Sequence, residues 1–392
     1  MKKIATSVLV LTMALFLAAP AMAEFEAYGS ARLLTGWYNY DPNIDGVHDD
    51  NYLVWGLSDI SRFGAKFKTG DLGGRVEFGF RGEGNATYSR LLYGTWDFGG
   101  GTLLVGQDWT PYTFWSDQIA PKYDLGGNHM PYDAENGFIG YGCLWDSRQP
   151  QVKLKLKNGF YVALIEPEKW DEDDINERAT LAAIVGAGED PTQLQNWVDY
   201  AVTDADVDMI APKICVGYEF KTEGLMLNPG IVYNTFSVES DKADFDETIN
   251  AWLVYVNGKA GLAMADLQWS VHYGQNPTDV GLWNREDAAS AGLDADGDVE
   301  NSTSYGGYLQ VAFNVDPATI TLGYGYVQSK NDEHPLGDDT DAQQSYFVNC
   351  KLPIADNFFV VPELSYYDHM DDPAGEEEAD AWYAGLLWRM DF

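Results

Sequence analysis

The stretch Arg75-Val76-Glu77-Phe78-Gly79-Phe80-Arg81 alternates between polar and apolar side chains with a period of two. In an extended strand, this spacing places the valine and both phenylalanines on one face and the charged side chains on the other. A helix would scatter the same charges around its circumference. Residues 151–157, Gln-Val-Lys-Leu-Lys-Leu-Lys, repeat the pattern with three lysines on one side. The sequence therefore predicts amphipathic β-strands.

Turn-forming residues divide the chain into about sixteen segments of this kind. Short connections rich in glycine, asparagine and aspartate alternate with long, mostly acidic ones, such as 168–208 and 240–248. Short turns at one end and long loops at the other are the layout of a transmembrane antiparallel β-barrel. We therefore predict an all-β barrel of about 16 strands, with short periplasmic turns, long extracellular loops and charged faces that line a wet lumen. Unbroken strands are expected at 52–68 and 209–220.

The first 23 residues are predicted to be a cleaved export signal. A cationic start, Met1-Lys2-Lys3, precedes an apolar segment at 4–18, and Ala21-Met22-Ala23 is a small-x-small cleavage pattern. An N-terminal membrane anchor is the less favoured alternative, because the apolar segment is shorter than a spanning helix requires. Residues 24–392 would then form one barrel in the outer membrane of a Gram-negative bacterium.

The composition excludes several classes of protein. The formal net charge of −37 would repel phosphates, so nucleic acid is not expected as a partner. Disorder, which is common in very acidic chains, is excluded by 14% aromatic and 45% hydrophobic residues. Cys143, Cys215 and Cys350 are odd in number and lack metal-ligand spacing. We expect them to be isolated thiols with at most one pair.

The last predicted strand carries the most specific single signal. Trp388, Met390 and Phe392 continue an alternating apolar face to the final residue of the chain. A terminal aromatic residue in this setting is the mark by which barrels are handed to the outer-membrane assembly machinery. The sequence therefore predicts that machinery and outer-membrane lipid as partners.

Residues 25–111 resemble the trimeric general porins of bacterial outer membranes. The similarity rests on three motifs: Ser58-Asp59-Ile60-Ser61-Arg62-Phe63-Gly64, Ser89-Arg90-Leu91-Leu92-Tyr93-Gly94, and the first strand Ala27-Tyr28-Gly29-Ser30-Ala31-Arg32-Leu33. Beyond residue 111 the resemblance is architectural. It implies a homotrimer without a cofactor, through which small hydrophilic solutes and ions diffuse passively. It also implies that loop three, at 110–147, folds inward and narrows the pore.

In that family, arginines on the barrel wall face acidic residues on loop three. Carried over to this chain, the resemblance implies a constriction formed by Arg32, Arg62, Arg90, Arg148, Asp117, Asp124, Asp133 and Glu135. The alternation itself assigns further basic residues to the lumen wall: Lys66, Lys68, Arg75, Arg81, Lys153, Lys155 and Lys157. Two features depart from the family. Gln107 stands where many members carry a basic residue, and the second loop is so short that the mode of trimer locking stays open.

Three other functions are compatible with parts of the sequence. A solute-specific channel for a sugar or an anion would use the same architecture, and large acidic loops would suit a surface adhesin. A barrel hydrolase would need a positioned base or nucleophile pair. The five histidines, His48, His129, His272, His334 and His369, form no such motif, so no enzyme activity is expected.

One acidic segment is a weak calcium candidate. In residues 294–300 the carboxylates alternate beside a glycine, a pattern that can wrap a calcium ion. The glycine comes earlier than in an EF-hand loop, so a solvated acidic loop is the favoured interpretation. The four candidate ligands are Asp294, Asp296, Asp298 and Glu300.

Overall fold

The computed structural model describes the chain in ten segments. They are residues 24–41, 50–80, 87–120, 140–189, 193–241, 243–282, 289–294, 296–331, 340–370 and 378–392. The strands within them are β1 (Glu24–Asp41), β2 (Asp50–Leu57), β3 (Arg62–Thr69), β4 (Leu72–Phe80), β5 (Thr87–Asp97), β6 (Gly101–Trp109), β7 (Arg148–Leu156), β8 (Phe160–Ile165), β9 (Asp206–Met209), β10 (Lys213–Tyr218), β11 (Phe220–Thr222), β12 (Leu225–Ser240), β13 (Phe245–Gly261), β14 (Ala265–Gln275), β15 (Gly292–Leu293), β16 (Val299–Glu300), β17 (Ser302–Val315), β18 (Ala318–Asn331), β19 (Thr340–Ala355), β20 (Phe358–Asp368) and β21 (Asp380–Asp391).

These strands form a closed antiparallel barrel. Successive strands pair with one another, and β1 pairs with β21 to close the sheet. Two positions in the barrel are built from consecutive short strands: β2 and β3 both pair with β1, while β9, β10 and β11 all pair with β12. With each of these sets counted as one position, the barrel has 16 strands, as the sequence predicted. β15 and β16 form a separate small hairpin.

Along the strands, apolar side chains face outward and polar ones face inward, as the barrel prediction requires. Phe78 and Phe80 are 43% and 37% exposed on the outer face, whereas Glu77, one residue away, is 1% exposed inside. In β7, Val152 and Leu154 are likewise exposed on the outer face. A half-buried soluble sheet would turn its apolar side chains inward instead, so the period-two pattern is confirmed as the pattern of a barrel with an apolar outer surface.

The predicted strand at 52–68 is interrupted, and the cause is local. Ser61 N donates to Ser58 O at 2.8 Å, which forms a tight turn between β2 and β3. The Ser61 hydroxyl accepts from Arg32 N and donates to Arg32 O, each at 3.0 Å. Arg32 O also accepts from Ser58 N at 2.9 Å. A side chain thus replaces part of the backbone ladder at this point, so the prediction of an unbroken strand at 52–68 was wrong. The strand predicted at 209–220 is also divided, into β9, β10 and β11.

Two long loops also differ from expectation. The segment after β8 contains α1 (Glu172–Gly186) and α2 (Leu194–Asp199), and Asp171 caps α1 through the backbone N–H groups of Asp173 and Asp174. The predicted loop at 240–248 shortens to a turn, because β12 and β13 stay paired up to Ser240 and Phe245. None of the described helices is long and apolar enough to cross a membrane.

Three loops pack against the inner wall of the barrel through their described residues: loop three, loop four (residues 166–205, between β8 and β9) and loop six (residues 276–301, between β14 and β17). Ile119 and Tyr141 of loop three join one apolar cluster, and Tyr112 and Leu144 join another. A third cluster joins Ile175 of α1 to inward-facing side chains of β12 and β13. The described residues thus form three separate apolar clusters instead of one continuous apolar core.

Candidate functional site

Five arginines gather on one side of the barrel interior. They come from the neighbouring strands β1, β3, β4, β5 and β7: Arg32, Arg62, Arg75, Arg90 and Arg148. We call this set the arginine wall. It contains all four arginines that the sequence assigned to the constriction, and Arg75, which the alternation assigned to the lumen wall.

A β-bulge delivers Arg90 to this wall. Glu77 pairs with Leu91 and Phe78 pairs with Ser89, which leaves Arg90 without a partner in the ladder. Because the bulge inserts an extra residue, Arg90 and Leu91 are both buried at 1% exposure, while Leu92 is 61% exposed on the outer face.

Glu77 connects three of the arginines. One carboxylate oxygen, Oε1, accepts from Arg90 Nε at 2.7 Å. The other, Oε2, lies 2.8 Å from Arg75 Nη2 and 3.8 Å from Arg62 Nε. It also accepts from the Tyr28 hydroxyl at 2.7 Å. Charge-assisted hydrogen bonds of this kind are short and strong, so they fix Arg75 and Arg90 in place, while Arg62 makes a longer ion pair.

The arginines differ in their access to water. The side chains of Arg62 and Arg75 are 27% and 28% exposed, whereas Arg90 is buried and also donates to the Tyr88 hydroxyl at 3.1 Å. Arg32 is 7% exposed, and its Nε donates to Ser30 Oγ at 2.9 Å. Arg62 and Arg75 therefore present their charge to the lumen most directly. Arg90 is buried within the wall, so its charge reaches the lumen less directly.

Loop three crosses to the far side of the barrel, where it is fastened by hydrogen bonds. Ile119 N and Ala120 N donate to the buried Glu363 carboxylate of β20 at 2.7 to 2.9 Å. Asp117 N donates to Gln310 Oε1, and Gln310 Nε2 donates back to Asp117 Oδ2, both at 2.7 Å. Asp117 is exposed to the lumen on this side. The other predicted acids, Asp124, Asp133 and Glu135, lie outside the described residues, as does Arg81.

A buried ion pair fastens the returning part of loop three. Lys213 Nζ lies 2.9 Å from Asp146 Oδ2 and donates to Val280 O at 2.8 Å, and both charged side chains are almost fully buried. The Tyr112 hydroxyl donates to Asp146 and also lies 3.0 Å from Val280 O. This one node joins both ends of loop three, strand β10 and loop six.

The predicted wall lysines occupy several levels of the lumen. Lys66, Lys153 and Lys155 pair with Glu26, Asp108 and Glu219 at 3.1, 3.2 and 2.6 Å. Lys68 is exposed near the end of β3, and Lys157 lies in the turn after β7. These pairs leave much of the wall charge locally balanced.

Below loop three, a cavity of about 740 Å³ opens between polar and apolar side chains. Asp117 and Gln310 line it, together with Lys259 and Lys351. These two lysines lie over aromatic rings, Lys259 over Phe114 at 5.3 Å and Lys351 over Phe359 at 4.4 Å. A space with this lining can hold water and small polar solutes.

The calcium candidates do not form a cluster in the described part of the chain. Asp294 Oδ1 accepts from Asp296 N at 2.8 Å and Asp298 N at 2.9 Å, so this carboxylate closes a turn. Among the described residues, no group of three or more histidine, cysteine or acidic side chains could hold a metal ion. Cys143, Cys215 and Cys350 are all free thiols. The expectations of no resident cofactor and no enzyme activity stay predictions.

Sequence reasoning missed several residues of the site. Glu77 was placed on the lumen face, but its role as the common partner of three arginines was not predicted. The signal was its position as the acid between Arg75 and Arg81. The anchors Glu363, Lys213 and Asp146 gave no local signal, because their partners are distant in the chain.

A closed 16-strand barrel with loop three inside it defines the chain as a porin-type β-barrel. No family model matches the sequence, and no curated protein matches it. Solved structures do match. The outer membrane channel DcaP of Acinetobacter baumannii is 17% identical, with a TM-score of 0.65 over 95% of this chain and 99% of that chain.

Two further structures agree with this fold. The trimer form of OmpT from Vibrio cholerae is 15% identical, with a TM-score of 0.51 over 94% of this chain and 99% of that one. OmpF of Salmonella typhi in complex with daunomycin is 11% identical, with a TM-score of 0.51 over 94% and 98%. At these identities the similarity establishes the fold. Membership of the trimeric general porin family stays a prediction.

Proposed function

We propose that this chain is an outer-membrane porin, a water-filled channel through which small hydrophilic solutes and ions diffuse passively. The observation that carries the proposal is the polar interior of the barrel. The arginine wall faces a loop that bears Asp117, and charged and amide side chains line the cavity below the loop together with apolar ones. A barrel of this strand number encloses an aqueous channel instead of a core filled by side chains.

The charges explain how such a channel would select solutes. Arg62 and Arg75 on one side and Asp117 on the other create a transverse field across the lumen. The field orients water, so a polar solute can exchange water contacts for wall contacts, while an apolar solute would have to disrupt ordered water without compensation. Loop three sets the size limit because its anchors hold it away from the arginine wall.

The outer surface of the barrel and the solved structures that share its fold support a location and an assembly state for the channel. The outward-facing aromatic and aliphatic side chains suit outer-membrane lipid in a Gram-negative bacterium. Residues 1–23 would direct export, and Phe392 would direct handover to the assembly machinery. The described trimer form of OmpT supports a homotrimer here.

Swelling of proteoliposomes tests the proposed function. Purified protein in vesicles should admit small sugars at rates that fall with solute size, and vesicles with heat-denatured protein serve as the control. If vesicles with folded protein swell no faster than this control in any sugar, the channel proposal is wrong.

An anion-preferring channel is a second candidate, and the charge balance of the site favours it. Glu77 is one carboxylate among the five arginines of the wall, and Lys259 and Lys351 contact aromatic rings on the far side. The reversal potential in a KCl gradient separates the two functions. A strong chloride preference at all salt concentrations would favour the anion channel, and a weak preference would favour the general porin.

A further inference from the structure

Three tryptophans meet beside the arginine wall, where loop three leaves and rejoins the barrel. Trp109 ends β6, Trp115 lies on the outgoing part of the loop, and Trp145 lies on the returning part. Their ring centroids are 4.9, 5.1 and 5.3 Å apart. We call them the tryptophan triad. All three side chains are partly exposed.

Guanidinium groups lie against the same triad. The Cζ atom of Arg148 is 4.4 Å from the centroid of Trp109, within the range of a cation–π contact. Arg90 approaches the same ring at 6.0 Å. The triad therefore places flat apolar surface and positive charge side by side in the lumen.

Several hydrogen-bond donors at this place have no acceptor among the described residues. Arg148 Nη1 is buried and has no hydrogen-bond acceptor among the described residues. Within the same part of the chain, hydrogen bonds from the indole N–H groups of the triad are absent, although Trp170 and Trp388 do donate theirs. A cluster that served only to pack loop three would need neither the exposed rings nor donors that lack an acceptor in the described part of the chain. The loop is already fastened by Glu363 and Asp146.

We propose that the tryptophan triad and Arg148 form a binding subsite for aromatic carboxylates within the channel. The solute's ring would stack on an indole face, and its carboxylate would accept from the guanidinium. An aliphatic carboxylate would gain the charge contact without the stacking. A neutral aromatic solute would gain the stacking without the charge contact. The inference rests on the proposed function, because the solute must enter the lumen to reach the triad.

Block of single-channel current tests this subsite. Benzoate and cyclohexanecarboxylate have the same charge and similar size, but only benzoate has an aromatic ring. Aromatic pairing favours benzoate by about fivefold in the concentration that halves the current. Benzyl alcohol, which lacks the charge, should block at least about tenfold less well than benzoate.

Two variants locate the effect. Trp115→Leu should abolish the preference for benzoate over cyclohexanecarboxylate, and Arg148→Gln should weaken block by both carboxylates. Trp382→Leu is the matched control, since Trp382 lies on the outer face and is 47% exposed there. It should keep the wild-type preference.

The outcomes separate this inference from the proposed function. Equal block by benzoate and cyclohexanecarboxylate in an open, conducting channel would overturn the subsite and leave the porin intact. Block by glucose oligomers but not by benzoate would also overturn it, because the triad would then be a sugar platform. Absence of any current would instead overturn the porin proposal. If Trp115→Leu fails to assemble, Trp115→Phe replaces it, and block by benzoate should then persist while the preference falls by less than in the leucine variant.

Discussion

Removal of the charge on Glu77 should make the channel more favourable to anions. Glu77 is 1% exposed and neutralises part of the arginine wall through contacts at 2.7, 2.8 and 3.8 Å. Glu77→Gln keeps the shape of the side chain, but it replaces one of the two accepting oxygens with an amide NH2 group, which is a donor. It removes one negative charge from beside Arg62, Arg75 and Arg90, so the wall's net charge rises by one.

The size of the effect follows from Coulomb's law. One unit charge about 8 Å from a passing ion changes its energy by about 0.5 kcal/mol in a medium of water's dielectric constant. Screening at about 0.15 M salt, where the Debye length is about 8 Å, reduces this to about 0.2 kcal/mol. At about 0.01 M salt it stays near 0.4 kcal/mol. Since cations and anions shift in opposite directions, the chloride-to-potassium permeability ratio should rise about twofold at the higher salt and about fourfold at the lower.

Reversal potentials across planar bilayers measure this ratio. The double variant Glu77→Gln/Arg75→Gln restores the net charge of the wall and is the matched control, so its selectivity should return close to wild type. The single variant should also unfold more easily, by about 3 kcal/mol, because it leaves buried arginine charge without its partner. A Glu77→Gln channel with unchanged reversal potential at low salt would refute the idea that this wall controls the passage of ions.

Three further predictions concern assembly, the loop anchors and pH. A Cβ atom at Gly29 would overlap the ring of Phe392, whose backbone pairs with Gly29 at 2.6 and 3.0 Å. Gly29→Val and Phe392→Asp should therefore both reduce the heat-modifiable folded form seen on gels. Normal amounts of this form in both variants would contradict the role of this terminus. Lys213→Met leaves Asp146 buried without its partner and should lower the free energy of unfolding by about 3 to 5 kcal/mol. In thermal unfolding, the double variant Lys213→Met/Asp146→Leu should recover most of this lost stability. Equal losses of stability in both variants would count against the ion pair. Burial in loop six raises the pKa of Asp279, which accepts from Trp170 Nε1 and Ala291 N. Its contribution to stability is therefore complete below its ordinary pKa and falls as pH rises through the raised value. The melting temperature of wild type should fall relative to that of Asp279→Asn between about pH 3 and pH 7, and parallel curves would contradict this.

The barrel could be predicted because each strand carries its own signal. The alternation in residues 75–81 reports the two faces directly, and the turn residues mark where each strand reverses. Local signals failed where a side chain takes over part of the backbone pairing, as Ser61 does opposite Arg32. They also failed in the segment after β8, where acidic residues that suggest a loop instead cap and begin a helix, α1.

The site was predicted in part for the same reason. The resemblance to porins supplied Arg32, Arg62, Arg90 and Arg148, and the structure brings them together with Arg75. Their role in a pore constriction stays a prediction. The tryptophan triad could not be predicted, because its members are separated by up to 36 positions in the sequence and meet only when loop three folds into the barrel. The anchors of that loop, such as Glu363, are invisible in the sequence for the same reason.

The most direct measurement of the central claim is single-channel current through the purified protein in a planar lipid bilayer. A passive, water-filled pore should show discrete conductance steps that grow in proportion to KCl concentration at high salt, with a linear current–voltage relation near zero voltage. Absence of conductance steps from correctly folded, heat-modifiable protein would contradict the account, as would a conductance that saturates at low salt in the manner of a channel dedicated to one tightly bound ion.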